Sequence, residues 1–257
     1  PTGTHAMWLY YWLAAQGIHP LRDVDTVVVP PSQMVAHLKA ARIDGFCAGG
    51  PWGALAVEQG QGFTLATSQM IWPDHPEKVL GVTREFVEQY PNTARALTMA
   101  VLEASRFIDA SLENRRSTAQ LISGSDYVDV PLSAIEPRFL GHYEDGLGNA
   151  WQDDHPLRFF DEGRATLPYL SDGVWFMTQF RRWGLLRDDP DYLAVAQRVQ
   201  RLDLYREAAE ALGIPVPEPT RSATLIDGRI WDGSDPAGYA RSFPIHALAG
   251  DVRAMAL

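Results

Sequence analysis

The sequence predicts an α/β fold built on a parallel sheet, and three observations carry that prediction. Short β-branched or apolar runs alternate with short helices over residues 1–70. From residue 91 onward, apolar residues recur mostly at helical spacing. The balance of 46% hydrophobic and 21% charged residues in 257 is that of a globular chain of one large domain or two. Strands alternating with helices of this length build parallel sheets, whose ligands sit beyond the carboxyl ends of the strands.

The first element is a helix opening from a turn. Gly3 frees the backbone, Thr4 is placed to cap, residues 6–15 are almost wholly apolar or aromatic, and Gln16-Gly17 stops the helix. Residues 25–29, DTVVV, read as a buried strand, and Pro30-Pro31-Ser32 breaks it into a helix over 33–41. Residues 43–48 are a second strand candidate, followed by Gly49-Gly50-Pro51 and a helix over 52–59 that ends at Gly60. Residues 62–67 are a third strand, and residues 79–83 a fourth after the polar loop 73–78.

Helices are then expected over 83–89, from 91 with Leu97, Ala100, Val101, Ala104, Phe107 and Ile108 on its apolar face, over 116–122 and over 131–139. Residues 140–170 read as irregular. Helices follow at 173–183 with Gly184 as stop, at 192–199 and at 204–212; a proline-rich connector and a turn-rich tail close the chain.

Thirty-two acidic against 22 basic residues give a formal net charge of −10, which excludes broad nucleic-acid or anionic-membrane binding. A small anion needs only local donors. Cys47 is the lone cysteine, so no internal disulfide forms, and no apolar run has the length of a membrane span. No strand precedes the opening Pro-Thr-Gly-Thr-His, so residue 1 reads as a cut.

Three turns are expected to meet at one end of the sheet: Gly3-Thr4-His5, Pro31-Ser32-Gln33 and Gly50-Pro51-Trp52. His5 lies in a helix's first turn, where unpaired N–H groups and the helix dipole attract anions. Position alone leaves His5 as an anion donor or a surface cap residue, and Lys78 as a ligand or a solvated lysine. Gly50 would admit close backbone approach, and Trp52 would wall a cleft or fill the core. Gln33 reads as a plain helix-start residue and Cys47 as inert in its apolar run. His142, Glu144, Asp153, Asp154 and His155 fit no metal spacing and read as a solvated loop. Arg181-Arg182 reads as the exposed edge of its helix.

GTHAMWLYYWLAAQGI, VVVPPSQMVAHLKAARIDGFCAGGPW and IWPDHPEKVLG, followed by WFMTQFRRWGLL, LYREAAEALGIPVP and IDGRIWDGSDPAGYA, together resemble the nitrate/bicarbonate solute-binding family of ABC transporters. The resemblance runs over essentially the whole chain. It implies a two-lobed fold of the type II periplasmic-binding-protein class. Residues 1–82 would form the α/β lobe lining the anion cleft, and residues 83–257 the return crossover and helix-rich part of the other lobe.

The resemblance also implies that the histidine of the GTH turn, His5, and the lysine of the HPEK loop, Lys78, contact nitrate. Thr4, Gly50 and Trp52 are further ligand-binding candidates. Bicarbonate-binding relatives carry an acidic residue with calcium at the lysine position, so Lys78 favours nitrate or nitrite, with no metal and no cofactor. Two departures stand out: Gly50 replaces a family glutamate, and the family's N-terminal lobe has no counterpart.

The implied function is capture of nitrate or nitrite for an ABC permease, without catalysis, in a periplasmic or outer-face, membrane-anchored protein. The alternative within the family is a cytoplasmic nitrate/nitrite sensor controlling an antiterminator partner. Pyrimidine-precursor synthases share the fold, but they carry a cysteine-rich motif this chain lacks.

Overall fold

A computed structural model describes residues 2–153, 156–248 and 251. Its framework is helical. Helix α1, Thr4–Ala15, is followed by α2, Met34–Lys39, α3, Trp52–Glu58, and α4, Ser68–Ile71. Helices α5, Arg84–Gln89, α6, Pro91–Asp109, α7, Leu112–Ile122, and α8, Leu132–Phe139, come next. The C-terminal part carries α9, Leu170–Arg182, α10, Tyr192–Gln200, α11, Leu202–Ala211, and α12, Pro236–Arg241.

Local chemistry sets the helix ends. Gly17 adopts φ 81°, its N–H bonds the Ala14 carbonyl and the Ile18 N–H reaches Leu13, a Schellman stop. At the other end of α1 the helix begins one turn-residue earlier than expected. Gly3, extended at φ −74° and ψ 165°, takes the cap position without a side-chain cap, and its carbonyl accepts from Met7 N–H. Thr4 is therefore the first helical residue rather than the cap. Ser111 caps α7 by accepting from Asn114 N–H, which starts that helix ahead of residue 116. Asp191 and Asp235 cap α10 and α12 in the same way.

The expected parallel sheet does not form among the described residues. Residues 25–29, 43–48, 62–67 and 79–83 run without strand pairing. A strand exists only when a neighbour supplies its ladder, and these four segments do not pair with one another. Much of their apolar surface stays in solvent, Val28 at 83% and Val79 at 78%, although Phe46 and Cys47 are half-buried. The strands that do form are two short antiparallel hairpins. β1, His142–Glu144, pairs with β2, Ala150–Gln152, and β3, Ala223–Thr224, with β4, Ile230–Trp231. Both hairpins and α12 fall in stretches expected to be irregular or turn-rich.

Helix α6 forms as expected but turns a different face inward. Ala94 and Leu102 are buried, while Leu97, Val101 and Phe107 are exposed. Leu102 decides this, because it packs with Tyr205, Ala208 and Ala209 of α11.

The main core joins the first 72 residues to residues 170–243. Met7, Trp8, Tyr10 and Tyr11 of α1 pack with Ile71 and Trp72, with Trp175 and Val174 of α9, and with Trp183, Trp231 and Phe243. Trp8 stacks on Trp175 at 5.0 Å between centroids and meets Trp72 edge-on at 5.8 Å. Arg182 is part of this core rather than an exposed edge. Its guanidinium lies 3.8 Å from the Phe243 centroid and 4.3 Å from that of Trp183, and it donates to the Ile245 carbonyl and Gln179. Burial pushes its pKa down to about 10. Arg181 pairs with Asp189 at 3.4 Å.

Candidate functional site

Two arms of the aromatic core carry the site. The first is α1. With Met7, Trp8, Tyr10 and Tyr11 buried, the helix is fixed against α9, and His5 stands one turn above the core in the N-terminal turn. The first-turn N–H groups of Thr4, His5 and Ala6 have no intrahelical partner.

The second arm is the loop 73–78 that leaves Trp72. It is short, polar and tied at several points. His75 lies against Trp8 at 5.1 Å, with Nδ1 2.9 Å from the Pro76 carbonyl and Nε2 2.7 Å from Ser68 Oγ. A carbonyl only accepts, so we assign the proton to Nδ1 and let Nε2 accept from the Ser68 hydroxyl. Burial lowers the His75 pKa, which agrees with this neutral form. Asp74 N–H donates to Gln69 Oε1 at 2.9 Å, and the Asp74 carbonyl accepts from Arg221 Nη1 at 2.8 Å. Arg221 is itself held by a two-pronged bond to Asp172, at 3.0 and 2.6 Å.

The arms meet at Glu77. Its Oε1 lies 3.5 Å from His5 Nε2 and is also contacted by Lys78 Nζ. Burial raises the Glu77 pKa, but the His5 and Lys78 contacts outweigh it and hold the carboxyl down at about 2. The imidazole and the ammonium therefore converge on one carboxylate oxygen. Lys78 is 75% exposed, so its ammonium stands at the rim.

The third turn is adjacent on one side only. A Cβ on Gly49 would lie 3.5 Å from His5 Nε2, so this glycine brings the backbone against the imidazole. A Cβ on Gly50 would meet nothing within 4 Å. Trp52 packs against the cluster of Ala119, Val130, Ile135 and Phe139. Gln33 is exposed, and no recorded contact joins it to His5. Cys47 lies beneath the site, its thiol pushed up to about 11 by burial and by the Glu77 charge, so it is not a thiolate at neutral pH.

His142 and Glu144 sit on β1, Asp153 follows β2, and Asp154 and His155 lie outside the described residues. No group of three or more potential metal ligands occurs among the described residues. A separate open groove of about 740 Å³, lined by Arg84, Arg198, Arg201 and Arg206, shares none of these side chains.

The sequence singled out His5 and Lys78 but not Glu77, whose carboxylate joins them. A glutamate beside a lysine in a polar loop looks like any solvated pair. Only the fold brings His5 from the opposite end of the segment.

With this geometry in place, the comparisons are informative. A family model described as NMT1-like matches residues 1–123. The nitrate/nitrite binding protein NrtA of Synechocystis is 39% identical over 254 residues, which cover 96% of this chain and 57% of that protein. The bicarbonate-binding protein CmpA of a Synechococcus strain is 31% identical over 263 residues, 95% of this chain and 57% of that protein. The crystal structure of the periplasmic nitrate-binding protein NrtA from Synechocystis superposes with a TM-score of 0.90 at 39% identity, covering 95% of this chain and 65% of that one.

Over nearly its whole length the chain is similar to solute-binding proteins of nitrate and bicarbonate transport. It has their type II periplasmic-binding-protein fold, and it spans a little over half the length of the curated relatives it matches. Relatives of both anion types are similar to it, so the likeness does not choose the anion. No helix among the described residues is long and apolar enough to cross a membrane.

Proposed function

We propose that this chain is the anion-binding part of a solute-binding protein for nitrate or nitrite uptake by an ABC transporter. It captures the oxyanion at the rim formed by His5, Lys78 and the first-turn N–H groups of α1, and it catalyses nothing. The observation that carries the reading is the convergence of the His5 imidazole and the Lys78 ammonium on a single oxygen of Glu77. A planar oxyanion fits where that carboxylate oxygen lies. A cation at a partly desolvated rim attracts an anion more strongly than it does in bulk water. A carboxylate at position 78 would need a metal to reverse its sign; a lysine does not.

Residues 1–82 carry this rim in the reading. Thr4, at the same helix start, and Gly50, beside Gly49, are placed to add backbone contacts, and Trp52 backs the segment that holds them. Working partners are nitrate or nitrite and the permease subunits. NrtC, an ATP-binding protein of nitrate import in Synechocystis, is 38% identical over 249 residues, which cover 96% of this chain and 37% of that protein. The setting that fits such work is periplasmic, or membrane-anchored on the outer face. The relatives are transport components, so the reading rests with uptake rather than sensing.

Calorimetric titration with nitrate, nitrite and bicarbonate tests this. Nitrate or nitrite should bind and bicarbonate should not. Lys78→Ala should weaken binding at least about 30-fold, about 2 kcal/mol. Binding of bicarbonate alone, or unchanged nitrate affinity in Lys78→Ala, would overturn the proposal.

A further inference from the structure

We propose that Glu77 is a built-in competitor for the anion: its carboxylate occupies the oxyanion's seat between His5 and Lys78 and must leave before the anion binds. The proposal rests on the anion-binding reading of this rim. One oxygen, Glu77 Oε1, stands 3.5 Å from His5 Nε2 and touches Lys78 Nζ. A carboxylate offers the same planar pair of acceptor oxygens that a small oxyanion would offer. The two cannot share the seat, because both are negative and both need the same donors.

Glu77 is placed to yield. Among the described residues its recorded polar contacts are with His5 and Lys78, so no third donor holds it down. Its side chain is 35% exposed and can turn to water. Proton uptake does not release it, since its pKa of about 2 keeps it ionised across the physiological range. Movement is therefore the way out. The loop's anchors lie elsewhere, at His75, Asp74 and Arg221, so the carboxylate can swing while Lys78 stays at the rim. Binding then becomes an exchange of one anion for another. The exchange lowers affinity, because the incoming anion must displace a carboxylate that the same donors already hold.

The test is nitrate calorimetry on the wild-type protein, Glu77→Gln, Glu77→Asp and Lys78→Ala, with thermal melts to establish that each variant is folded. Glu77→Gln keeps the size and removes the charge, and should bind nitrate about tenfold more tightly, equivalent to about 1.4 kcal/mol. Glu77→Asp reaches less far and should tighten binding by a smaller factor. It also serves if the glutamine variant fails to fold. Equal or weaker nitrate binding in a folded Glu77 variant overturns the inference, because a residue that orients Lys78 or holds a cation would give that result. If the wild type binds nitrate, Lys78→Ala loses it and Glu77→Gln does not tighten it, the inference alone fails. If the wild type binds no nitrate, the anion-site reading fails with it.

Discussion

Replacing Arg221 by Met should cost stability and anion affinity together, and the stability loss should depend on pH. Asp172 is nearly buried, at 7% side-chain exposure, and receives two charged hydrogen bonds from Arg221. Arg221 also lies over Tyr169 at 4.5 Å. Removing one partner of a buried ion pair leaves an uncompensated charge, which costs about 3–5 kcal/mol when both groups are fully buried. Arg221 is 24% exposed, so water reaches the gap and the cost falls below that range, to about 2–3 kcal/mol. For a chain of this size that is a melting-point drop of roughly 5–10 °C.

Burial already raises the Asp172 pKa above its usual value, even against the pull of Arg221. A carboxyl raised in the folded state is neutral there while the unfolded chain begins to ionise. Its penalty is absent well below the unfolded pKa of 3.8 and grows as the pH rises through the raised folded value. Without Arg221 the folded value rises further. Melts of wild type and variant, followed by circular dichroism at pH 4.5 and pH 7.5, should therefore diverge more at the higher pH. Adding Asp172→Asn to the variant should recover part of the loss. An equal gap at both pH values would refute the reasoning, because it would mean that lost stacking, not an unpaired charge, is the cause. The same variant frees the Asp74 carbonyl, so nitrate affinity should fall several-fold.

Three further outcomes are expected. Trp8→Ala removes the ring that joins Trp72, Trp175 and His75, and should destabilise the protein by about 3–5 kcal/mol in urea unfolding. His75 is held neutral, with its pKa lowered by burial, so the unfolded chain takes up the proton first and stability should fall as the pH drops below the unfolded value of 6.5. Urea midpoints at pH 7.5 and 5.5 should show that fall in wild type and a smaller one in His75→Gln. Lys78→Ala, truncating a side chain 75% exposed, should leave the melting point within about 2 °C while it removes anion binding.

The helices were legible because their stops and starts are written locally. Gly17, Gly60 and Gly184 all adopt the positive φ that ends a helix, and Asp191 caps the helix expected from 192, whereas the Ser111 cap, which starts α7 ahead of residue 116, was passed over. The strands were not legible as strands in this chain. A run such as DTVVV states a preference for extended backbone, but pairing is decided by a neighbour far away in sequence. The inward face of α6 was misread for a related reason. Two apolar stripes compete on that helix, and contact with α11 through Leu102 chooses between them. Helix α12 carried its signals, Asp235 then Pro236, but at six residues it is too short to show a period. At the candidate site, position alone left His5 open between an anion donor and a cap residue, and Glu77 came into view only once the fold set it beside His5.

The most direct measurement is a crystal structure of the protein soaked in nitrate. The account predicts one planar anion within hydrogen-bond distance of both His5 Nε2 and Lys78 Nζ at the start of α1, with the Glu77 carboxylate turned away. Nitrate bound elsewhere, or Glu77 still seated between His5 and Lys78 with nitrate present, would contradict it.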